Sequence, residues 1–196
     1  MELNTTINNE LMNNKMITTS SVLDLGFSKT LLTNYVKEGL LERIAHGVYA
    51  LPETIIDDMY LLLLRSAKVI FSHDTSLFLN HLSERTPFIH SVTIPSNAVL
   101  PEDMRKECIC YYIKPELYSM GIIQRKTTFG NIVRCYNPER TICDLLRSRR
   151  RLDEETVLSG IRSYAASNEK NLNLLAEYAD LLKVGKELKQ YMEVLL

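Results

Sequence analysis

The sequence predicts an α+β protein: an N-terminal winged helix-turn-helix joined to a mixed α/β C-terminal domain that ends in helices. Three observations carry that prediction. Two short helical patterns flank Gly26 and lead into a strand-turn-strand pattern over Leu40–Leu51; strand and helix patterns then mix; and after Asn137-Pro138 only helical patterns remain. A chain of 196 residues suits two small domains, since domains of roughly 100 to 150 residues are usual. The segment Leu51-Pro52-Glu53-Thr54 closes the first pattern, which sets the expected domains at 1–52 and 53–196.

The elements follow in order. A first helix is expected over Thr6–Asn13, and a second from a Thr18 or Thr19 cap to Leu25, with Gly26 giving the permissive backbone of a tight turn. Ser28 is the expected cap of a third helix, Lys29 to Glu38, which Gly39 ends. Past the boundary, Ile55–Ser66 reads as an amphipathic helix, and Val69-Ile70-Phe71 as a buried strand before a Ser72-capped helix ending near Leu82. His90–Pro95 and Cys108–Lys114 read as strands. Ile122–Thr128 and Asn131–Tyr136 flank Phe129-Gly130, a hairpin signal. Asn137-Pro138 starts a helix running to about Arg147, with Asn as N-cap and Pro in the first turn. Three more helices, near 154–167, 172–182 and 185–195, close the chain, capped in the first two cases by Asp153 and Asn171.

Composition narrows the function. Apolar residues are 45% and charged residues 24%, enough for a buried core. Lys and Arg number 23 against 24 Asp and Glu, so the net charge of −1 excludes a bulk polycation that coats DNA. Apolar runs such as Tyr60–Leu64 are far below the roughly 20 residues that span a bilayer, and Met1–Asn14 is polar with Glu2 and Glu10, unlike a signal peptide. A cytoplasmic protein with no membrane partner is expected. Cys108, Cys110, Cys135 and Cys143 include no CxxC pair, so reduced thiols rather than a zinc site are expected. No phosphate-binding loop, GxGxxG, HExxH or GxSxG occurs. The expectation is a non-enzyme without cofactor or metal.

The third helix carries the functional signal. At 100° per residue, the polar residues Lys29, Thr33, Lys37, Thr30 and Asn34 share one arc, and Leu31, Tyr35, Leu32 and Val36 take the opposite one. Lys, Thr and Asn are groove-reading side chains: Asn pairs bidentately with adenine, Thr offers a hydroxyl or methyl, and Lys reaches guanine or phosphate. With Ser28 at the helix start, these residues form the candidate reading face. The following strands turn at Ala45–Gly47, a wing, in which Arg43 points away from Glu42 and Ile44, and His46 sits at the tip where a phosphate or minor groove would lie. Residues 1–52 hold four cations against five carboxylates. Neutralising three or four phosphates gives a salt slope of only about −3 to −4, so a second copy on a repeated half-site, or basic residues from the other domain, must add affinity.

The stretches Leu25-Gly26-Phe27-Ser28, Tyr35-Val36-Lys37-Glu38-Gly39-Leu40-Leu41-Glu42-Arg43 and His46-Gly47-Val48-Tyr49 resemble the winged helix of the AbiEi antitoxins, the regulatory partners in AbiE phage-resistance, or abortive-infection, toxin–antitoxin systems. Ser72-His73, and Asn137-Pro138-Glu139-Arg140-Thr141-Ile142-Cys143-Asp144-Leu145 with its Glu-Arg-Thr-x-x-Asp core, are similar to elements of that family's C-terminal domain. The resemblance spans about residues 15 to 150. It implies an antitoxin that represses its own operon by binding inverted repeats in promoter DNA, and that neutralises a nucleotidyltransferase toxin, with or without a stable complex. Two rival classes stay open at this level: a nuclease or phosphoryl transferase targeted by the winged helix, and a ligand-sensing transcription factor.

The C-terminal part offers two further clusters. His73 and Asp74, with His81 beyond, sit near a helix start, where capping and dipole roles are expected. Five guanidinium groups fall between Arg140 and Arg151. Arg140 and Asp144 are spaced to pair structurally on one helix face. Arg147, Arg149, Arg150 and Arg151 read either as a solvated helix end opposing the dipole or as phosphate or partner contacts.

Overall fold

The computed structural model describes residues 2–195. It is a mixed α/β protein with two sheets. The chain divides into two compact units: one comprises the segment up to Ala67 together with Thr127–Asn131, the other Lys68–Lys126 with the segment from Ile132 onward.

In the first unit, α1 (Thr5–Asn14), β1 (Met16–Thr18), α2 (Thr19–Asp24), α3 (Lys29–Lys37), β2 (Glu42–Ala45), β3 (Val48–Ala50) and α4 (Asp58–Arg65) follow one another. The Thr18 hydroxyl accepts from the Ser21 amide at 3.0 Å and starts α2. Ser28 differs from expectation: it occupies the cap position with extended backbone, but its hydroxyl makes no capping bond. Ile7, Leu11, Ile17, Val22, Leu32, Tyr35 and Leu41 form the core, and the Tyr35 hydroxyl accepts from the Asn4 amide at 2.9 Å. The sheet order is β1-β3-β2, antiparallel throughout. β1 carries no local signal, because three residues are too few to display a period of two.

A second cluster, Met16, Val48 and Ala50, is covered by Ile56, Tyr60, Leu61 and Leu64, so α4 packs on the sheet of this unit. The helix begins at Asp58, three residues later than its apolar pattern suggests, because Asp57 is its cap. One Asp57 oxygen accepts from the Tyr60 amide at 3.2 Å, and the other from Thr127 Oγ1 at 2.6 Å and Asn131 Nδ2 at 2.8 Å. These bonds satisfy a carboxylate that is buried.

The second unit contains β4 (Ile70–Phe71), α5 (His73–Leu79), β5 (His90–Pro95), α6 (Glu102–Glu107), β6 (Cys108–Ile113), α7 (Pro115–Tyr118), β7 (Ile122–Lys126), β8 (Ile132–Tyr136), α8 (Pro138–Ser148), α9 (Glu154–Ala166), α10 (Leu172–Leu181) and α11 (Gly185–Leu195). Its five-stranded sheet has the order β6-β5-β4-β8-β7. The pairs β5–β6 and β4–β8 are parallel, and β4–β5 and β7–β8 antiparallel. Asn137, Asp153 and Asn171 cap α8, α9 and α10 through their side chains, as their positions predicted. Leu77 of α5, Ile142, Leu145 and Leu146 of α8, Val157, Ile161 and Tyr164 of α9, and Leu175 and Tyr178 of α10 form one core.

The Glu-Arg-Thr-x-x-Asp segment is buried against this core, and its polar groups bond within the unit except Arg140 Nη2 and Asp144 Oδ1, which have no hydrogen-bond partner among the described residues. Glu139 accepts from the Tyr164 hydroxyl and the Asn171 amide, each at 3.1 Å. Thr141 Oγ1 lies 2.8 Å from Ser76 Oγ. Arg140, fully buried, donates from Nε to Asp144 at 3.0 Å and from Nη1 to the carbonyls of Leu117 and Met120 at 2.8 and 3.1 Å, with its guanidinium 4.2 Å from the centre of the Tyr136 ring. Gly121 makes room for it: at φ +78° its backbone is left-handed, and a Cβ there would stand 2.9 Å from Arg140 Cβ. No helix among the described residues is long and apolar enough to cross a membrane.

Candidate nucleic-acid interface

Every residue of the expected reading face on α3 is exposed: Ser28, Lys29, Thr30, Thr33, Asn34 and Lys37. Leu32 and Tyr35 are buried, and Leu31 and Val36 half-buried, so the apolar arc holds the helix to its unit while the polar arc faces solvent.

Arg43 and His46 on the hairpin are exposed too. Glu42 pairs with Ala50 and Arg43 with Tyr49, but Ala45, not Ile44, faces Val48. The extra residue is a bulge, which breaks the strict alternation of side chains. Arg43 Nη2 lies 3.1 Å from His46 Nδ1, and its Nε donates to the Ala45 carbonyl at 3.4 Å. The tip is fixed to the start of α2, because the Thr19 amide donates to the Gly47 carbonyl at 2.8 Å. Gly47 has φ +72°, a conformation that side chains disfavour.

A concave surface of about 440 Å³ brings Lys29, Thr33, Arg43 and His46 together. Ser28, Thr30, Asn34 and Lys37 are not among its lining residues, so α3 presents them outside the concavity. Thr18, Thr19, Ser20, Tyr49 and Arg65 also lie on the wall. Arg65, at the last turn of α4, had no signal in the sequence, since it lies beyond the polarity change that marked the end of the hairpin.

In the second unit, His73 and His81 do not form a cluster: His73 is buried and His81 exposed. Among the described residues no group of three His, Cys, Asp or Glu side chains is placed to hold a metal ion. The four cysteines are free thiols. Burial pushes Cys135 and Cys143 up to about 12, whereas a hydrogen bond from Cys108, with Arg105 and Arg151 nearby, draws Cys110 down to about 7.

His73 stacks on the Tyr111 ring at 3.5 Å, with Nδ1 2.9 Å from Ser72 Oγ and Nε2 3.0 Å from Ser148 Oγ. Ser72, the expected helix cap, makes no capping bond; its hydroxyl instead lies against His73 and accepts from Thr93. Burial first, then Arg147, Arg140 and Arg151, holds the imidazole well below its usual 6.5, hence neutral. The unfolded chain takes up a proton near pH 6.5 that the folded chain refuses, so stability is full above that pH and falls below it. Urea unfolding from pH 7.5 to 5 should show this loss. In His73→Asn, which suits the left-handed φ of +51° at this position, the slope in that window should flatten. Equal slopes in the two proteins would refute the assignment.

A short helix, a Gly-containing turn, a helix with a polar outer face and a hairpin follow one another in the first unit, the order of elements that helix-turn-helix modules use. Residues 6–52 match the family model described as transcriptional regulator, AbiEi antitoxin. No curated protein matches the chain. Among solved structures, the chain is similar to the RV2827C protein from Mycobacterium tuberculosis, at 13% identity and a TM-score of 0.60, over 96% of this chain and 79% of that one. At that identity the likeness is one of fold.

Proposed function

We propose that the protein is an antitoxin and DNA-binding autorepressor of a toxin–antitoxin operon, acting in the cytoplasm in phage resistance by abortive infection. The first unit acts as a winged helix-turn-helix: α3 enters the major groove with Lys29, Thr30, Thr33, Asn34 and Lys37, Ser28 meets the backbone at its start, and Arg43 and His46 of the wing contact phosphate or minor groove. The observation that carries this reading is the exposed polar face of α3 beside a concavity shared with Arg43 and His46, in the segment that matches the regulator family. Arg65, on the same wall, is a further phosphate contact. The partners are promoter DNA with inverted repeats and a nucleotidyltransferase toxin, neutralised by the protein without catalysis or cofactor.

The low charge of the reading segment requires two copies on repeated half-sites, even where the free protein is a monomer. Titrating the full chain against the intact repeat and against one half-site should give markedly tighter binding to the repeat; equal affinities would overturn the two-copy arrangement. An adjacent gene for a nucleotidyltransferase is expected, and co-expression of this protein should restore the growth which that enzyme alone arrests. Metal-dependent cleavage of the promoter, with no rescue, would favour an enzyme instead.

A further inference from the structure

We propose that the second unit holds a site for a small phosphate-bearing ligand, built from Arg147, Arg149, Arg150 and Arg151 beside the Tyr111 ring. With Ser148, these residues line a concave cavity of about 490 Å³. That volume lies in the range of small-molecule sites. The inference rests on the second unit alone and is independent of promoter reading.

The wall carries four guanidinium groups and no carboxylate. Arg147 lies 3.6 Å from Asp144 Oδ1, while Oδ2 of the same carboxylate bonds Arg140, so one negative charge is shared by two guanidinium groups. Arg149 pairs with Glu187 at 3.1 Å in a partly exposed contact, of the kind worth little in water and readily exchanged for a phosphate, which accepts two parallel bonds from one guanidinium. Among the described residues, no carboxylate pairs with Arg150 or Arg151. Four like charges around one hollow repel each other until an anion enters.

The chain holds this arrangement in place. α8 tightens into a 3-10 turn over Arg149–Arg151. Arg151 lies over the Tyr111 ring, 4.4 Å from its centre, and its Nη2 donates to the Cys110 carbonyl at 3.5 Å. Tyr111 is buried and stacked on His73, which Ser72 and Ser148 flank. The floor is therefore rigid. Cations gathered about a point suit a compact anion better than cations along a line, which is how duplex backbones are tracked.

Isothermal titration of the full chain at low salt, with ADP, GDP, CDP, UDP and inorganic pyrophosphate as probes, tests the site. All five should bind saturably. The exposed Arg150→Ala/Arg151→Ala pair, checked for native circular dichroism, should weaken every probe about tenfold or more. Absence of saturable binding by any probe, or binding unaltered in the double variant, would overturn the proposal. So would a double variant that loses only promoter affinity, which would make the cluster a DNA-backbone contact.

Discussion

Arg140→Ala should lower the unfolding free energy of the second unit by about 3–5 kcal/mol, the usual result of removing one member of a buried ion pair. Three effects combine. Asp144 is left fully buried without its closest counter-charge, the carbonyls of Leu117 and Met120 lose their donor, and a void opens against Tyr136. A total stability of about 5–15 kcal/mol is typical, so this loss is a large fraction of it. Burial already pushes the Asp144 carboxyl up, opposed by Arg140 and Arg147; in the variant it should rise further. Since the folded variant then binds a proton more readily than the unfolded chain, part of the lost stability should return as pH falls. Exchange for an apolar pair, Arg140→Met with Asp144→Leu, should recover much of the loss. Urea unfolding followed by circular dichroism measures all three, and an Arg140→Ala variant within 1 kcal/mol of the parent would sink the argument.

The second large effect concerns DNA. Under the proposed reading, removing two phosphate contacts per copy with Lys29→Ala/Arg43→Ala should reduce the salt slope at one half-site by about 2 and weaken binding there about 30-fold near 0.15 M salt, for cognate and unrelated duplexes alike. Asn34→Ala should behave differently. It should cost about 1–3 kcal/mol at the cognate repeat and relax base preference at one position, with the salt slope kept. Gel-shift titrations over a range of salt separate the two patterns. If the Lys29/Arg43 variant binds the promoter like the parent, α3 and the hairpin are structural only.

Much of this fold was legible because its signals are local. Caps at Thr18, Asn137, Asp153 and Asn171 act over two or three residues, and the two arcs of α3 need only a helical period to separate. The exposure of Lys29, Thr30, Thr33, Asn34 and Lys37 follows from that period directly. The pairing of Arg140 with Asp144 was equally local, one turn apart.

Local sequence sets where helices begin, which face of each is apolar, and which cations lie close along the chain. Which of those cations converge follows from packing. Arg65 joins Lys29 and Arg43 because α4 packs over Met16, Val48 and Ala50. Asp57 bonds with Thr127 and Asn131, 70 and 74 residues away, and His73 with Ser148, 75 residues away. Met16–Thr18 becomes a strand only because β3 offers it a partner. Such contacts depend on burial and on the closure of long loops, whose cost is met collectively by the whole core, so no short window of sequence contains them.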